Sequence, residues 1–499
     1  MDNLTMSSLA TNYSLATSYS MTYKLLGTFA TLGAFYLISY LLLSHQSLKF
    51  PLVGEELGGY HKRRAYYTDH AVELYKQGYK KVIYHSNAIF HTRDIVILPL
   101  QYTEELRRMP DDVVNNAKAL DKLTEARFTG LKADTPLMVH IIRSDLTHNL
   151  PKVNQMLTTE VARTVPEELG PCTEWIEVTI SQKLLRIVAI VSGQIFIGSE
   201  LCRSPEYLHA SIRFTLDLFA AAARLKRWPF FLRPIVRYFV SELGNVQEHR
   251  RAAHEFLVPV LRQRRERAKQ GQEMPEDLLQ CMINKADSFD VKTDQEIAEI
   301  QLNLSMAAIH TTTMTATHII YDLIGHCPEV IPELRKEIRS VMAANDNVMT
   351  TQALYQMKLL DSVMRESQRC NPATTVRLVR EVLKTFKFSD GTEIPAGTTI
   401  GLPHLSTVQD PTFYPDPMRY DPYRFARIRS GEAEDPLHYQ SKEQYQFISV
   451  TKENMGFGIL MDYDIKLPDG VKTRYSNIAR GNALTPDTKK TIMIKKAVA

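Results

Sequence analysis

The 499-residue sequence predicts a mainly α fold, α+β by strict naming, helix-rich with small β-sheets and set behind an N-terminal transmembrane helix. Three observations lead there. Four long segments carry apolar residues at three- and four-residue spacing, the pattern of helices with one buried face. Short β-branched runs punctuated by Gly, Asp and Pro gather beyond Pro372. A stretch near the start of the chain holds no charge at all.

That stretch runs from Leu25 to Leu43, LLGTFATLGAFYLISYLLL. As a helix rising about 1.5 Å per residue it reaches roughly 28 Å, close to the hydrocarbon thickness of a bilayer. A cleaved signal peptide is the competing reading, but its apolar core is usually shorter and nearer the start. Asp2 and Lys24 precede the stretch, whereas Lys49, Lys62, Arg63 and Arg64 follow it. Positive-inside bias therefore places the body in the cytosol. The expected organisation is a lumenal N-terminus and membrane anchor over residues 1–50, single-pass in the endoplasmic reticulum membrane, and one cytosolic domain over 51–499. The sequons at Asn3 and Asn12 then face the lumen, open to glycosylation; the triplet at Asn303 shows how readily such patterns arise by chance.

Within the body, Val72 to Tyr79 has helical character, Lys81 to Tyr84 and Asp94 to Leu98 read as short strands, and Glu104 to Arg108 starts a helix. The four long helical segments are Trp175 to Ile197, Pro205 to Arg224, Leu243 to Gln270 and Asp294 to Cys327. Between two of them, Trp228-Pro229-Phe230-Phe231-Leu232 reads as core or as a membrane-dipping substrate entrance. Later, Phe386 to Phe388, Thr392 to Pro395 and Thr398 to Leu402 read as strands around Asp390-Gly391 and Ala396-Gly397 turns. Asp410 to Arg424 reads as an ordered, irregular meander, and the tail with Thr491 to Ile494 as a terminal strand pair.

Net charge is +4, too mild to imply nucleic acid. The densest basic run, Arg262, Arg264, Arg265, Arg267 and Lys269, reads as a solvated helix end or as a contact for an acidic redox partner or headgroups. Five cysteines, widely spaced and without a CxxC pair, argue against a disulfide framework and a zinc site, and for a reducing compartment.

Three motifs carry chemistry. In Ala307-Ala308-Ile309-His310-Thr311-Thr312 the small residues would let a flat ligand approach a helix backbone, with the Thr311 hydroxyl one turn on; a plain packing seam has the same composition. Glu366 and Arg369 share a helix face and can pair, as any surface pair can. Arg424, in Asp421-Pro422-Tyr423-Arg424-Phe425, could complete a buried Glu–Arg–Arg cluster, since a buried charge persists only when paired.

Order and spacing add what each motif lacks alone. Ala-Ala-x-x-Thr is followed by Glu-x-x-Arg about 55 residues on, by Pro-x-Arg-Phe about 55 residues later, and then by Met455-Gly456-Phe457-Gly458. With the N-terminal anchor, this order resembles the microsomal cytochrome P-450 family across essentially the whole chain. AAIHTT, ESQRCNP and DPYRF are similar to fungal members that oxidise terpenoids and other secondary metabolites.

The resemblance implies a haem (heme) monooxygenase acting on a lipophilic substrate, with electrons from an NADPH-dependent reductase. It implies that Thr311 helps deliver protons, with His310 in the usually acidic position before it. Glu366, Arg369 and Arg424 match the structural triad. Arg380 fits a haem-propionate partner, with His140 or Arg143 able to do likewise. Ala308, Thr374 and Val376 would line the substrate pocket.

One departure stands out. After Gly458 the family pattern continues through a loop to a cysteine that ligates iron, and then into a helix. Here Ile459-Leu460-Met461-Asp462 follows at once, like the end of that helix, so roughly two dozen residues are missing, enough for the loop and about four turns. No cysteine follows Cys370, and the nearest histidine is His438. The expected metal ligand is therefore absent. An in-frame excision, by a skipped exon or a mispredicted intron, accounts for two intact flanks. The alternative function is a catalytically inactive, membrane-anchored variant.

Overall fold

The computed structural model describes residues 24, 27–28, 30–35, 50–84, 89–91, 95–433 and 458–497. It divides into two compact units, Met1–Pro51 and Leu52–Ala499. In the first, residues 30–35 are helical, with Leu32 and Phe35 exposed. Most of the rest of the expected Leu25–Leu43 span, with the sequons at Asn3 and Asn12, lies outside the described residues, as does His438. Among the described residues one helix, Ile180–Ile197, is long and apolar enough to cross a membrane, and 72% of it is buried in the protein's own core.

The second unit is built on helices α1 (Tyr60–Gly78), α2 (Asn116–Leu123), α3 (Leu150–Leu169), α4 (Ile180–Ile197), α5 (Pro205–Lys226), α6 (Ser241–Lys269), α7 (Leu278–Lys285), α8 (Asp294–His326), α9 (Ile331–Ala343), α10 (Lys358–Cys370) and α11 (Arg424–Ser430). The 33-residue α8 is the axis, packed by α4, α5, α6 and α10. Its start is fixed by a capping box: Glu296 N–H donates to Thr293 Oγ1 at 3.2 Å and Thr293 N–H to the Glu296 carboxylate at 3.1 Å. Leu157 on α3, Leu184 and Ile187 on α4, and Ile309 and Ile320 on α8 are fully buried in one continuous core.

The strands are β1 (Phe90–His91), β2 (Val96–Ile97), β3 (Val114–Asn115), β4 (Ile176–Val178), β5 (Val376–Val382), β6 (Phe386–Lys387), β7 (Glu393–Ile394), β8 (Thr399–Pro403), β9 (Tyr463–Lys466), β10 (Ile478–Arg480), β11 (Ala483–Thr485) and β12 (Ile492–Lys496). They form a five-stranded sheet in the order β1-β2-β8-β5-β3, a three-stranded sheet β4-β12-β9, and the pairs β6-β7 and β10-β11.

Local reading departs from this structure in a few places. Lys81–Tyr84 continues in helical turns after α1 and forms no strand. The segment from Trp175 opens as β4 and not as helix: its partner is β12, more than three hundred residues away. The terminal strand β12 joins both β4 and β9. Trp228 and Phe230 are exposed, so the patch they share is not core. The basic run is not one open face either, since Arg264 is buried and held by both oxygens of Asp277 at 2.6 Å. Asn303 is buried on α8 and donates to Lys132 O, which removes it as a glycan acceptor.

Candidate active site

The middle of α8 interrupts that helix's burial. Ala307 and Thr311, one turn apart, are exposed and Ala308 is half-buried, while Ser305, Ile309, Thr312 and Thr313 around them are buried. Thr311 Oγ1 donates back to Ala307 O at 2.8 Å, and Thr313, Thr315 and Thr317 donate likewise to the carbonyls four residues earlier. Such back-bonds compete with the backbone ladder and favour bending, here along the open stretch. His310 is not presented beside Thr311. Neighbouring helix positions face different directions, and its Nε2 meets Ile212 O of α5 at 2.9 Å. Burial lowers its pKa, the Ile212 bond only partly opposing this, so the ring stays neutral.

Glu366, fully buried on α10, gathers two guanidinium groups. Arg369 binds it with two bonds of 2.8 Å, and Arg424, at the start of α11, reaches both carboxylate oxygens at 3.2 Å. The spare N–H groups staple the meander: Arg369 to Val408 O and Pro417 O, Arg424 to Pro415 O. Burial works against the Arg369 charge, but the Glu366 bonds raise its pKa nonetheless. Three charges from two elements thereby hold an irregular segment in one shape.

Strand β5 presents a cationic edge. Its register shifts between Arg377 and Arg380, and Leu378 takes a positive φ of 49°. This bulge re-aims the following side chain. Arg380 Nη1 donates to Asn116 Oδ1 at 3.1 Å and to Val379 O at 2.9 Å. Burial lowers its pKa, with Asp111 in opposition, and it has no ion-pair partner among the described residues. Arg377 adds to this edge, and His404 on the adjoining turn lies beside it as a neutral ring, burial and the Arg377 charge holding its pKa down to about 4. Neither was singled out from sequence, although the Arg-x-x-Arg repeat at 377 and 380 is a visible signal.

The other expected residues divide. Thr374 is exposed, its hydroxyl donating to Val376 O at 2.8 Å. Val376 is 1% exposed and packs with Phe90 and Ile97 in a sheet-side cluster, so it does not line an open surface. A valine between two paired strands has its side chain taken by the sheet. His140 meets Lys285 Nζ at 3.1 Å and lies against Phe289, in a cluster that includes Asp145. Arg143 is exposed on the turn after it, and that turn packs on α7. Arg380 instead contacts α2, so these three do not form one cradle.

Haem was tested against this residue set. The cationic β5 edge suits carboxylates and the exposed stretch of α8 suits a flat ring, but a thiolate donor is lacking. A metal deprotonates the thiol it binds, so the position of the five sulfurs decides the question. Cys370 Sγ is 3.1 Å from Arg369 Nη2 and senses Asp322, eleven residues or about 16 Å along α8 from Thr311. Cys327 ends α8, Cys281 lies on α7, Cys172 bonds Leu169 O, and Cys202 lies near Gln194 of α4. The residues present do not fit a thiolate-ligated haem.

The cytochrome P450 family model matches residues 134–449. The chain is 32% identical to cytochrome P450 monooxygenase braC of Annulohypoxylon truncatum, over 92% of this chain and 95% of that protein. That alignment spans 492 positions, so roughly 30 of them have no residue in this chain. Ent-kaurene oxidase P450-4 of Gibberella fujikuroi is 31% identical over 84% of this chain and 86% of its own length. Among solved structures, retinoic acid bound cyanobacterial CYP120A1 superposes with a TM-score of 0.62 at 18% identity, covering 85% of this chain and 94% of that one, a likeness of fold alone.

Proposed function

The chain belongs to the cytochrome P450 monooxygenase family, and from that premise we propose that its pocket takes a lipophilic secondary metabolite of terpenoid type. In this family a haem supplies the oxidising chemistry, fed with electrons from NADPH by a reductase partner. The observation that carries the reading is the run of small residues at Ala307 and Ala308, open in the middle of a buried helix. A bulky, rigid hydrocarbon needs such a surface, flat and without charge, and two relatives over most of their length are fungal enzymes, one named for a diterpene hydrocarbon.

Within this reading Ala308 and Thr374 face the substrate, Thr311 holds a hydroxyl beside it, and Arg380 with Arg377 addresses the carboxylates of the cofactor the family uses. The uncharged stretch Leu25–Leu43 supports an anchor in residues 1–50 that holds the protein at the endoplasmic reticulum membrane. Trp228, Phe230, Ile235, Tyr238 and Phe239, all exposed in one stretch, are the segment that meets the bilayer. The substrate reading is tested without turnover, by equilibrium dialysis of the purified chain against radiolabelled ent-kaurene and, in parallel, palmitate. Saturable retention of the diterpene, weakened in Ala308→Trp, is expected. Equal or greater retention of palmitate removes the terpenoid reading.

The five misplaced cysteines favour a second reading for this sequence: a membrane-anchored binder of the same ligand class without turnover. Dialysis supports both readings alike, and spectroscopy of the iron site separates them.

A further inference from the structure

We infer that one contiguous block is missing between Gly458 and Ile459, and that the 499-residue protein consequently forms no thiolate-ligated haem. Residues 458–462 are a single helical turn placed like the end of a longer helix. Ile459 and Leu460 are 0% and 1% exposed and belong to the main core. A Cβ on Gly458 would come within 2.7 Å of the Val161 side chain, so this turn sits tightly on α3.

The carbonyls that end this turn are capped. Arg335 of α9 donates from Nε to Leu460 O at 2.7 Å, from Nη2 to Tyr463 O at 2.7 Å and from Nη1 to Asp464 Oδ1 at 2.8 Å. A guanidinium at the final carbonyls suits a helix C-terminus. A turn this short relies on tertiary packing for its stability, which Ile459 and Leu460 supply through the core.

Two further observations agree. The family match stops at residue 449, although 458–497 still form β9 to β12 and close the sheets. The positions that this chain leaves empty along the whole braC alignment number roughly 30, room enough in total for such a block. A thiolate pushes electron density onto haem iron and favours O–O cleavage, and none of the five sulfurs present lies on the open stretch of α8.

The test uses the full chain expressed with haem precursor, reduced and exposed to carbon monoxide. The 499-residue protein is expected to show no thiolate-type Soret band. Inserting at Gly458–Ile459 the cysteine-bearing loop and helix of the family pattern should create the band, and the same insert with its cysteine changed to serine should not. Circular dichroism separates a folded, silent chain from an unfolded one, and either result for the 499-mer agrees with the proposal once the insert restores the band. A thiolate-type band in the 499-mer overturns it, with Cys370→Ser showing whether that sulfur is the donor. An insert-bearing chain that stays silent overturns it too. Neither result bears on diterpene retention, so the substrate reading stands or falls separately.

Discussion

Arg474 reaches from the C-terminal segment to the fully buried carboxylate of Asp322, and its Nε donates to Asp322 Oδ1. The second oxygen accepts from Ser367 Oγ and from Asn371 Nδ2, the latter at 2.8 Å. Arg474 also meets His318 Nδ1 and Asn477 Oδ1, each at 2.9 Å. One ion pair thus joins α8, α10 and the polypeptide beyond β9.

Removing the cation strands the anion. Arg474→Ala should lower unfolding free energy by about 3–5 kcal/mol, the usual result when one partner of a buried pair is lost. Urea denaturation followed by circular dichroism reads this directly. Asp322→Asn should also destabilise, since it keeps hydrogen-bonding atoms but leaves the Arg474 guanidinium, 10% exposed, without its counter-ion.

The same contact decides the effect at Gly325. Alanine is the better helix former by about 1 kcal/mol. A Cβ there would come within 2.7 Å of Arg474 Cα, however, and 2.9 Å of its backbone nitrogen. Backbone cannot swing aside as a side-chain tip can, so Gly325→Ala should destabilise by about 1–3 kcal/mol, visible as a lowered midpoint in thermal unfolding.

Glu366→Ala leaves two buried guanidinium groups facing each other. A loss of about 3–5 kcal/mol is expected, and the meander from Asp410 to Arg424 should become the first site cut in limited proteolysis. Wild-type resistance in that segment would remove the cluster's stapling role.

His404 makes stability depend on pH in a defined direction. Its folded pKa lies near 4, below the ordinary 6.5. Between those values the unfolded chain takes up a proton that the folded chain refuses, so the stability present above 6.5 is lost progressively as pH falls towards 4. Relative to the wild type, His404→Asn should therefore gain stability across that window and show no such gain between pH 7 and 8.

On α8, adjacent residues should behave differently. Thr311→Ala, at an exposed position, should alter stability by no more than about 0.5 kcal/mol. His310→Ala leaves Ile212 O without its side-chain donor and should cost about 1–3 kcal/mol. Paired denaturation curves check both.

The long helices were legible in the sequence because each buries a face against several neighbours, and the apolar period records that directly. The Glu366 cluster was legible as well, through the family resemblance that the order of Glu-x-x-Arg and the later Arg424 helps to carry. Strand β4 was not, because its hydrogen bonds go to β12 and nothing local encodes the partner. The Asp322 network escaped for a related reason: one aspartate in an apolar helix signals little until Arg474, 152 residues away, is seen beside it. Arg377 and His404 were missed because the bulge at Leu378, which sets where β5 aims its side chains, leaves no mark in residue type.

Arg335 grips its three acceptors regardless of what precedes them in the chain. A seam placed just upstream can therefore leave β9 to β12 in their sheets, and most of the chain still carries the marks of kinship. Counts of shared domains or percentage likeness will rank such a polypeptide with fully equipped cousins, whereas the whereabouts of a single sulfur atom tells them apart.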